Sequence, residues 1–177
     1  PLTPLGLLDK ATDLGVKVVQ IADNLPIHTY PDDVITAFAE GARERGILIE
    51  VGTSGIDPDN LYRYLELAKQ FDSSLVRANF SRPENEWGIK QAIAQIRSVM
   101  TQYEESGVVL ALENYDHFPV AELAQIITAV ASPNIGSCVD PGNSLSCNED
   151  TGRVLDVLGP LVLNLHVKDI AIFREPY

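Results

Sequence analysis

The stretch VVLALENYD, residues 108–116, runs through five apolar residues and then turns polar at Glu113. An unbroken apolar run of this length is typical of a strand buried on both faces, as in a parallel sheet covered by helices. A carboxylate at the end of such a strand is unfavourable to bury unless a positive charge or hydrogen-bond donors meet it. The sequence therefore predicts a buried strand here, and a partner for Glu113 where the strand ends.

The rest of the chain repeats this pattern of strand and helix. Glycine and proline separate amphipathic segments, predicted as helices, from short β-branched-rich segments, predicted as strands. The predicted helices are residues 4–15, 31–46, 57–71, 84–107, 119–132 and 148–160, and the predicted strands are residues 16–22, 47–51, 74–80, 108–113, 134–140 and 161–169. Strands begin roughly 26 to 34 residues apart, the length of one βα unit. Strict alternation predicts a parallel sheet with helices outside it.

Two α/β architectures fit this alternation: an open doubly wound sheet and a (β/α)₈ barrel. The early turns, residues 21–26 and 51–57, read IADNLP and VGTSGID and contain no G-x-G-x-x-G nucleotide loop. A barrel takes about 250 residues, and six units in 177 residues extrapolate to about that length for eight. We therefore predict that residues 1–177 form one domain with about six of the eight units of a TIM barrel, the first and last strands lying outside the chain.

The composition excludes several classes of protein. Apolar residues make up 45% and charged residues 21% of the chain, as in ordinary soluble globular proteins. The net charge of −12 argues against nucleic acid as a partner. No apolar stretch approaches the roughly 18 residues of a membrane span, and no signal segment opens the chain. Two cysteines make no disulfide framework, so we expect a cytoplasmic protein.

Alternation along the strands places small or polar residues inside the barrel. If Glu113 points inward, Ala111 does too. The same reasoning turns Asp140 and His166 inward on the next two strands and sends large aliphatic residues such as Leu163 outward. Each of these strands then carries one metal-competent side chain near its C-terminal end, where barrel enzymes build their sites.

The same mouth would collect polar side chains from the earlier strands as well, giving the set Gln20, Glu50, Arg77, Glu113, Asp140, His166 and Lys168. Burying so many polar and charged side chains costs free energy, which a purely structural role would not explain. Two carboxylates and an imidazole on consecutive strands suit Mn²⁺, Mg²⁺, Co²⁺ or Zn²⁺. We therefore predict a divalent metal ion bound by Glu113, Asp140 and His166.

Each residue also has a simpler interpretation when it is taken singly. A lone glutamate at a strand end is usually an ion-pair partner, and Asp140 precedes a Pro-Gly pair whose turn it could shape. His166 could be a hydrogen-bonded core histidine. Glu50 and Arg77, on neighbouring strands, could neutralise each other. His117, in a loop, is expected to be exposed rather than to bind metal.

Three motifs, LALENYD (110–116), CVDPGNS (138–144) and NLHVKD (164–169), resemble those of the sugar phosphate isomerase/epimerase superfamily, the xylose isomerase-like TIM barrels. GVKVVQIADN (15–24) and IEVGTSGI (49–56) give weaker support, and the resemblance runs over essentially the whole chain. It implies that Glu113, Asp140 and His166 match three of four metal ligands. The fourth, a glutamate on the last strand, would lie beyond Tyr177.

The sequence departs from the family pattern at two places. Many members have a histidine three residues after the aspartate, where this chain has Asn143. The early strands also lack the extra histidines of the endonuclease IV branch, which, with the acidic charge, counts against DNA repair.

The resemblance implies a metal-dependent sugar isomerase or epimerase that removes a proton next to a carbonyl through an enediolate. Glu113 would be one of two glutamates that exchange the proton. The candidate substrate-binding residues are Arg77, Lys168, Asn114, Gln20, Asn143 and Glu50. Only Arg77 and Lys168 bring positive charge, which favours an unphosphorylated sugar or polyol-derived keto compound.

Two other functions stay open. A metal-dependent dehydratase on the same barrel would use the same proton abstraction on a keto-cyclitol or dehydroshikimate-like acid and expel a hydroxyl group. A barrel without catalytic activity could bind a sugar as a sensor. Association into homo-oligomers is also left open, since many barrels associate.

Overall fold

The structure, a computed structural model, describes residues 2–81, 84 and 86–168. In this part of the chain the helices are α1 Pro4–Asp13, α2 Asp32–Arg45, α3 Pro58–Gln70, α4 Ile89–Ser106, α5 Val120–Val130 and α6 Thr151–Leu158. The strands are β1 Val18–Ile21, β2 Leu48–Ser54, β3 Leu75–Asn79, β4 Val109–Glu113, β5 Ile135–Val139 and β6 Val162–Leu165. All neighbouring strands are parallel, and their order in the sheet is their order in the chain. This is the predicted succession of (β/α)₈ barrel units.

Some predicted boundaries differ from the observed ones. The helix predicted over 84–107 begins only at Ile89, because its first turn is preceded by an extended Gly88. The last strand, predicted to reach Asp169, ends at Leu165. Asp169 itself lies outside the described residues.

Local capping explains where several helices begin and end. The Thr3 hydroxyl accepts a hydrogen bond from the Gly6 amide, 3.1 Å away, at the start of α1. The Asp57 carboxylate does the same for the Asn60 amide at 3.0 Å, and a proline follows both caps. Helix α2 ends at Gly46, whose φ of 61° is the left-handed conformation that glycine adopts without strain.

The two faces of the sheet carry different side chains. Large aliphatic residues such as Leu110 and Leu112 pack into the main core between sheet and helices. The inner face holds a small separate cluster in which Ala111 and Cys138 contact Leu75. This confirms the predicted alternation, and it leaves the inside of the barrel lined by small and polar residues.

One residue of the last strand does not face as predicted. Ser137 pairs with Val162, but the next residue, Cys138, pairs with Asn164, so Leu163 is the extra residue of a bulge. A bulge turns two successive side chains towards similar directions. Leu163 therefore lies against Gly136, within 2.6 Å of where a Cβ on that glycine would be. The prediction that Leu163 faces outward is wrong.

Among the described residues, no helix has both the length and the apolar content that crossing a lipid bilayer requires.

Candidate active site

Three polar side chains converge where β4, β5 and β6 end. His166 Nδ1 lies 3.4 Å from Glu113 Oε1 and 3.7 Å from Asp140 Oδ2. The side chains of Glu113 and Asp140 are 2% and 0% exposed, whereas that of His166 is 26% exposed. One nitrogen atom at the mouth of the barrel therefore faces two buried carboxylates.

The partners of Glu113 explain how its charge is accommodated. Arg77, from β3, donates to Glu113 Oε2 and forms an ion pair with it. Asn143 Nδ2 donates to the other oxygen, Oε1, at 2.8 Å. Parallel pairing sets Arg77 opposite Ala111, two residues before Glu113 on the adjacent strand. The guanidinium therefore neutralises Glu113, and the alternative that it pairs with Glu50 is not what the structure shows.

Glu50 is instead hydrogen-bonded to amides. Its Oε2 accepts from Gln20 Nε2 at 2.9 Å and from Asn164 Nδ2 at 3.0 Å. The carboxylate oxygen can only accept, so it turns the NH₂ group of Gln20 towards itself and the carbonyl oxygen away from itself. That oxygen, Gln20 Oε1, lies 2.8 Å from His166 Nε2.

This chain of hydrogen bonds fixes the tautomer of the histidine. Because Gln20 Oε1 is an acceptor, His166 Nε2 carries the proton, and in the neutral ring Nδ1 carries a lone pair. Nδ1 faces the oxygens of Glu113 and Asp140. A cation bound between Nδ1 and these oxygens would be attracted by all three atoms.

Asp140 is held by the turn that follows β5. Its Oδ1 accepts from the backbone amides of Gly142 at 3.0 Å and Asn143 at 3.1 Å. Its Oδ2 accepts no well-directed hydrogen bond from a described residue, but lies 2.5 Å from Lys168 Nζ. Asp140 thus shapes a turn, as one interpretation of the sequence held, and also keeps one oxygen directed into the mouth.

Two asparagines connect these elements. Asn114 accepts from the Asp140 amide at 2.8 Å and donates to the Asp140 carbonyl at 2.7 Å, which ties the end of β4 to the turn after β5. Asn143 Oδ1 accepts from Lys168 Nζ at 2.6 Å while its amide nitrogen binds Glu113. All seven residues predicted at the mouth, with Asn114 and Asn143, are therefore joined in one polar network.

Cys138 belongs to this site, although the sequence analysis assigned it no functional role. It is the Cα partner of Glu113 in the β4–β5 pairing. Its sulfur, an oxygen of Glu113 and a nitrogen of His166 lie within 4.8 Å of one another. Burial raises the pKa of the Cys138 thiol to about 12, the negative charge of Glu113 raises it as well, and Arg77 lowers it. Its inward position two residues before Asp140 was the signal that could have identified it.

A cavity of about 290 Å³ opens beside the site, lined by Tyr115, Asp116, Gly142 and Asn143. Tyr115, at the rim of the cavity, is 42% exposed. The cavity meets the polar network at Asn143, so a small polar molecule bound there would contact the network directly.

The other two histidines lie elsewhere. His28 is exposed and its Nδ1 is hydrogen-bonded to the Tyr64 hydroxyl at 2.7 Å. His117 is half-buried because its ring packs at a steep angle against the rings of Phe80 and Phe118, and its Nε2 is fully buried. The expectation that His117 is exposed is therefore wrong.

The donor set suits a divalent cation. Two carboxylates and an imidazole lone pair are ligands that Mn²⁺, Mg²⁺, Co²⁺ and Zn²⁺ accept. The ammonium of Lys168 already sits against Asp140. It compensates part of the negative charge that a metal ion would otherwise neutralise.

Comparison with known proteins identifies the fold family. A family model described as the xylose isomerase-like TIM barrel matches residues 8–175. The chain therefore belongs to the xylose isomerase-like TIM barrel family, as the motifs of its late strands predicted. This family includes enzymes that act on sugars.

Three similar proteins illustrate the range of activities. A 3-oxo-isoapionate decarboxylase of Pectobacterium atrosepticum is 31% identical over 97% of this chain, which spans 64% of that relative's length. The crystal structure of a D-psicose 3-epimerase matches with a TM-score of 0.77 at 16% identity, covering 92% of this chain and 66% of that one. A probable 3-DHS dehydratase, AsbF, of Bacillus anthracis matches with a TM-score of 0.73 at 12% identity, covering 94% and 68%. The two structures show a shared fold.

Proposed function

We propose that this protein is a divalent-metal-dependent sugar isomerase or epimerase that removes a proton next to a carbonyl group and forms an enediolate. The observation that carries this proposal is the convergence of His166 Nδ1 with Glu113 and Asp140, at 3.4 and 3.7 Å. A cation held by these three residues would relieve their mutual repulsion. When bound, it would act as a Lewis acid that stabilises negative charge on the oxygens of the substrate.

The described residues suit the proton transfer. Glu113 is the proposed base, because it is a carboxylate directed into the mouth of the barrel. Arg77 forms an ion pair with it, and Asn143 orients it by the 2.8 Å hydrogen bond to Oε1. Near-complete burial of both Arg77 and Glu113 limits water around the transferred proton, since their side chains are 11% and 2% exposed.

The substrate would enter through the cavity beside Asn143. Lys168, with a side chain 45% exposed, is the cation that a substrate hydroxyl or carbonyl would reach first. Gln20 and Glu50 would act indirectly, by holding His166 in its tautomer. Among the described residues, the site has two cations, Arg77 paired with Glu113 and Lys168 paired with Asp140. Two paired cations are few for a phosphate group, so we propose an unphosphorylated sugar or keto-polyol.

A second reaction is favoured by a specific observation. The relative at 31% identity is named as a decarboxylase of a 3-oxo acid. Loss of CO₂ from a 3-oxo sugar acid leaves its electron pair in the same type of enediolate, which then takes up a proton. In the part of the chain that the structure describes, Arg77 and Lys168 are the cations near the site that could bind the substrate carboxylate.

One experiment separates these reactions. The purified protein is incubated in D₂O with Mn²⁺, Mg²⁺, Co²⁺ or Zn²⁺ and a panel of ketoses, keto-polyols and 3-oxo sugar acids. NMR then follows deuterium uptake, with parallel detection of CO₂ and of conjugated products. We expect metal-dependent deuterium uptake at the carbon next to the carbonyl. CO₂ release from the acids would instead establish the decarboxylase, and a conjugated product would establish the dehydratase.

Variants test the role of Glu113. Glu113→Gln should abolish deuterium exchange, because the amide cannot accept the proton, and circular dichroism checks that the variant is folded. Glu105→Gln, on the exposed face of α4, is the matched control and should keep wild-type exchange. Wild-type turnover by Glu113→Gln would show that another group is the base. A protein that holds no divalent metal and exchanges no proton would be a sugar-binding barrel without catalytic activity.

A further inference from the structure

We propose that Cys138 is an additional metal ligand, and that its sulfur makes the site prefer Zn²⁺ or Co²⁺ to Mg²⁺ and Mn²⁺. This inference rests on the proposed metal site and goes beyond it by naming a ligand and a class of metal. Cys138 pairs in register with Glu113, and both point into the barrel.

The positions of three donor atoms support this assignment. The Cys138 sulfur, one Glu113 oxygen and one His166 nitrogen are all within 4.8 Å of one another. Tetrahedral Zn²⁺ has bonds of about 2.0–2.3 Å, so its ligand atoms lie roughly 3.5 Å apart. Small side-chain rotations would close this difference, because all three residues extend from adjacent strand ends.

The hydrogen bonds of Asp140 leave room for a further ligand. Asp140 Oδ1 already accepts from two backbone amides, and Oδ2 lies against Lys168. An ion bound by Glu113 and His166 can therefore gain from Asp140 one oxygen at most without breaking the turn. The Cys138 sulfur has a long contact of 3.5 Å to Asn164 Oδ1. It is thus the donor with the weakest competing interaction.

The chemistry of sulfur determines the metal preference. As the metal–sulfur bond forms, the thiol proton leaves to solvent and the sulfur binds as thiolate. Soft thiolate and imidazole ligands suit Zn²⁺ and Co²⁺, whereas Mg²⁺ and Mn²⁺ prefer sites built from oxygen alone.

The alternative is that Cys138 serves only as a small buried side chain that fills the inner face. Both roles are consistent with its complete burial, so the test must detect a metal–sulfur bond. Co²⁺ provides this readout, because a Co²⁺–thiolate bond adds a near-ultraviolet charge-transfer band to the visible bands of the ion.

The experiment compares the wild-type protein with Cys138→Ser, Cys138→Ala and the control Cys147→Ser after loading with Co²⁺. Cys147 is the other cysteine and lies in the turn after β5, partly exposed. We expect the charge-transfer band in wild type and in Cys147→Ser, and its loss in both Cys138 variants with the visible bands retained. Circular dichroism establishes that each variant is folded, and the wild-type spectrum alone tests the proposal should either fail to fold.

The metal preference provides a second readout. Competition titrations should show that Cys138→Ser lowers the affinity for Zn²⁺ relative to Mg²⁺. Loss of a residue that hydrogen-bonds a metal ligand costs roughly 10- to 100-fold in metal affinity, so loss of a ligand itself should cost at least as much. Wild-type Co²⁺ spectra with visible bands but no charge-transfer band would overturn the role of Cys138 and leave the metal site standing. No binding of any divalent ion would overturn both.

Discussion

Replacing Arg77 with methionine should destabilise the metal-free protein by about 3–5 kcal/mol, the range observed when one partner of a buried ion pair is removed. The side chain of Glu113 is 2% exposed, so water cannot compensate the charge that the substitution leaves behind. Methionine fills much of the volume of arginine, so the loss should come from the charge. Of its partners among the described residues, Glu113 would keep the hydrogen bond from Asn143, at 2.8 Å, and its contact with His166.

Urea unfolding in the presence of a chelator measures this loss of stability. Arg43→Met is the matched control, because the ion pair of Arg43 with Asp72 is more than half exposed on both sides. Such surface pairs contribute about 0–1 kcal/mol. Combining Arg77→Met with Glu113→Gln should restore most of the stability, since no unpaired charge then remains. A loss below about 1 kcal/mol for Arg77→Met would refute the reasoning.

Zinc should restore part of the stability that Arg77→Met loses. A ligand present at 100 times its Kd stabilises the folded state by about 2.7 kcal/mol. At one fixed Zn²⁺ concentration the variant should gain more than wild type, because the ion takes over the neutralisation of Glu113. Equal gains in the two proteins would show that Glu113 does not bind the ion.

Three further changes test other parts of the site. His166→Ala should reduce metal affinity at least about tenfold in equilibrium dialysis. Folding should change little, because the His166 side chain is 26% exposed. Unchanged metal affinity would show that His166 is not a ligand. Glu84→Ala should lower the free energy of unfolding by about 1–3 kcal/mol, because Glu84 accepts hydrogen bonds from three backbone amides in two loops. A loss of stability under about 0.5 kcal/mol would show that these hydrogen bonds contribute little. Asn114→Ala should weaken metal binding by releasing the turn that holds Asp140, and calorimetric titration that shows wild-type affinity would count against that linkage.

The positions of the site residues could be predicted from the sequence because parallel strands end at a common edge. An apolar run that ends in a carboxylate locates Glu113. A polar side chain near the C-terminal end of each of the next two strands locates Asp140 and His166. Two-residue alternation then decides which side chains share the interior. These are local rules, which is why the strand order and the convergence at the mouth followed from them.

The choice of partners within the site depends on geometry that the sequence does not contain. Arg77 has a carboxylate on each neighbouring strand, and only the register decides that it pairs with Glu113 rather than Glu50. The bulge that turns Leu163 inward arises from a register shift against β5. From the sequence, Cys138 is identified only as a small inward residue, because its distance to His166 depends on the register and spatial arrangement of β5 and β6.

Crystals of the protein soaked with Zn²⁺ and measured at the zinc absorption edge would test the central claim most directly. An anomalous peak within about 2.0–2.3 Å of donor atoms of Glu113, Asp140 and His166 is the predicted result. Lys168 would then have moved away from Asp140 Oδ2, which lies 2.5 Å from its Nζ in this structure. A peak confined to surface carboxylates, with those three side chains unchanged, would contradict the account.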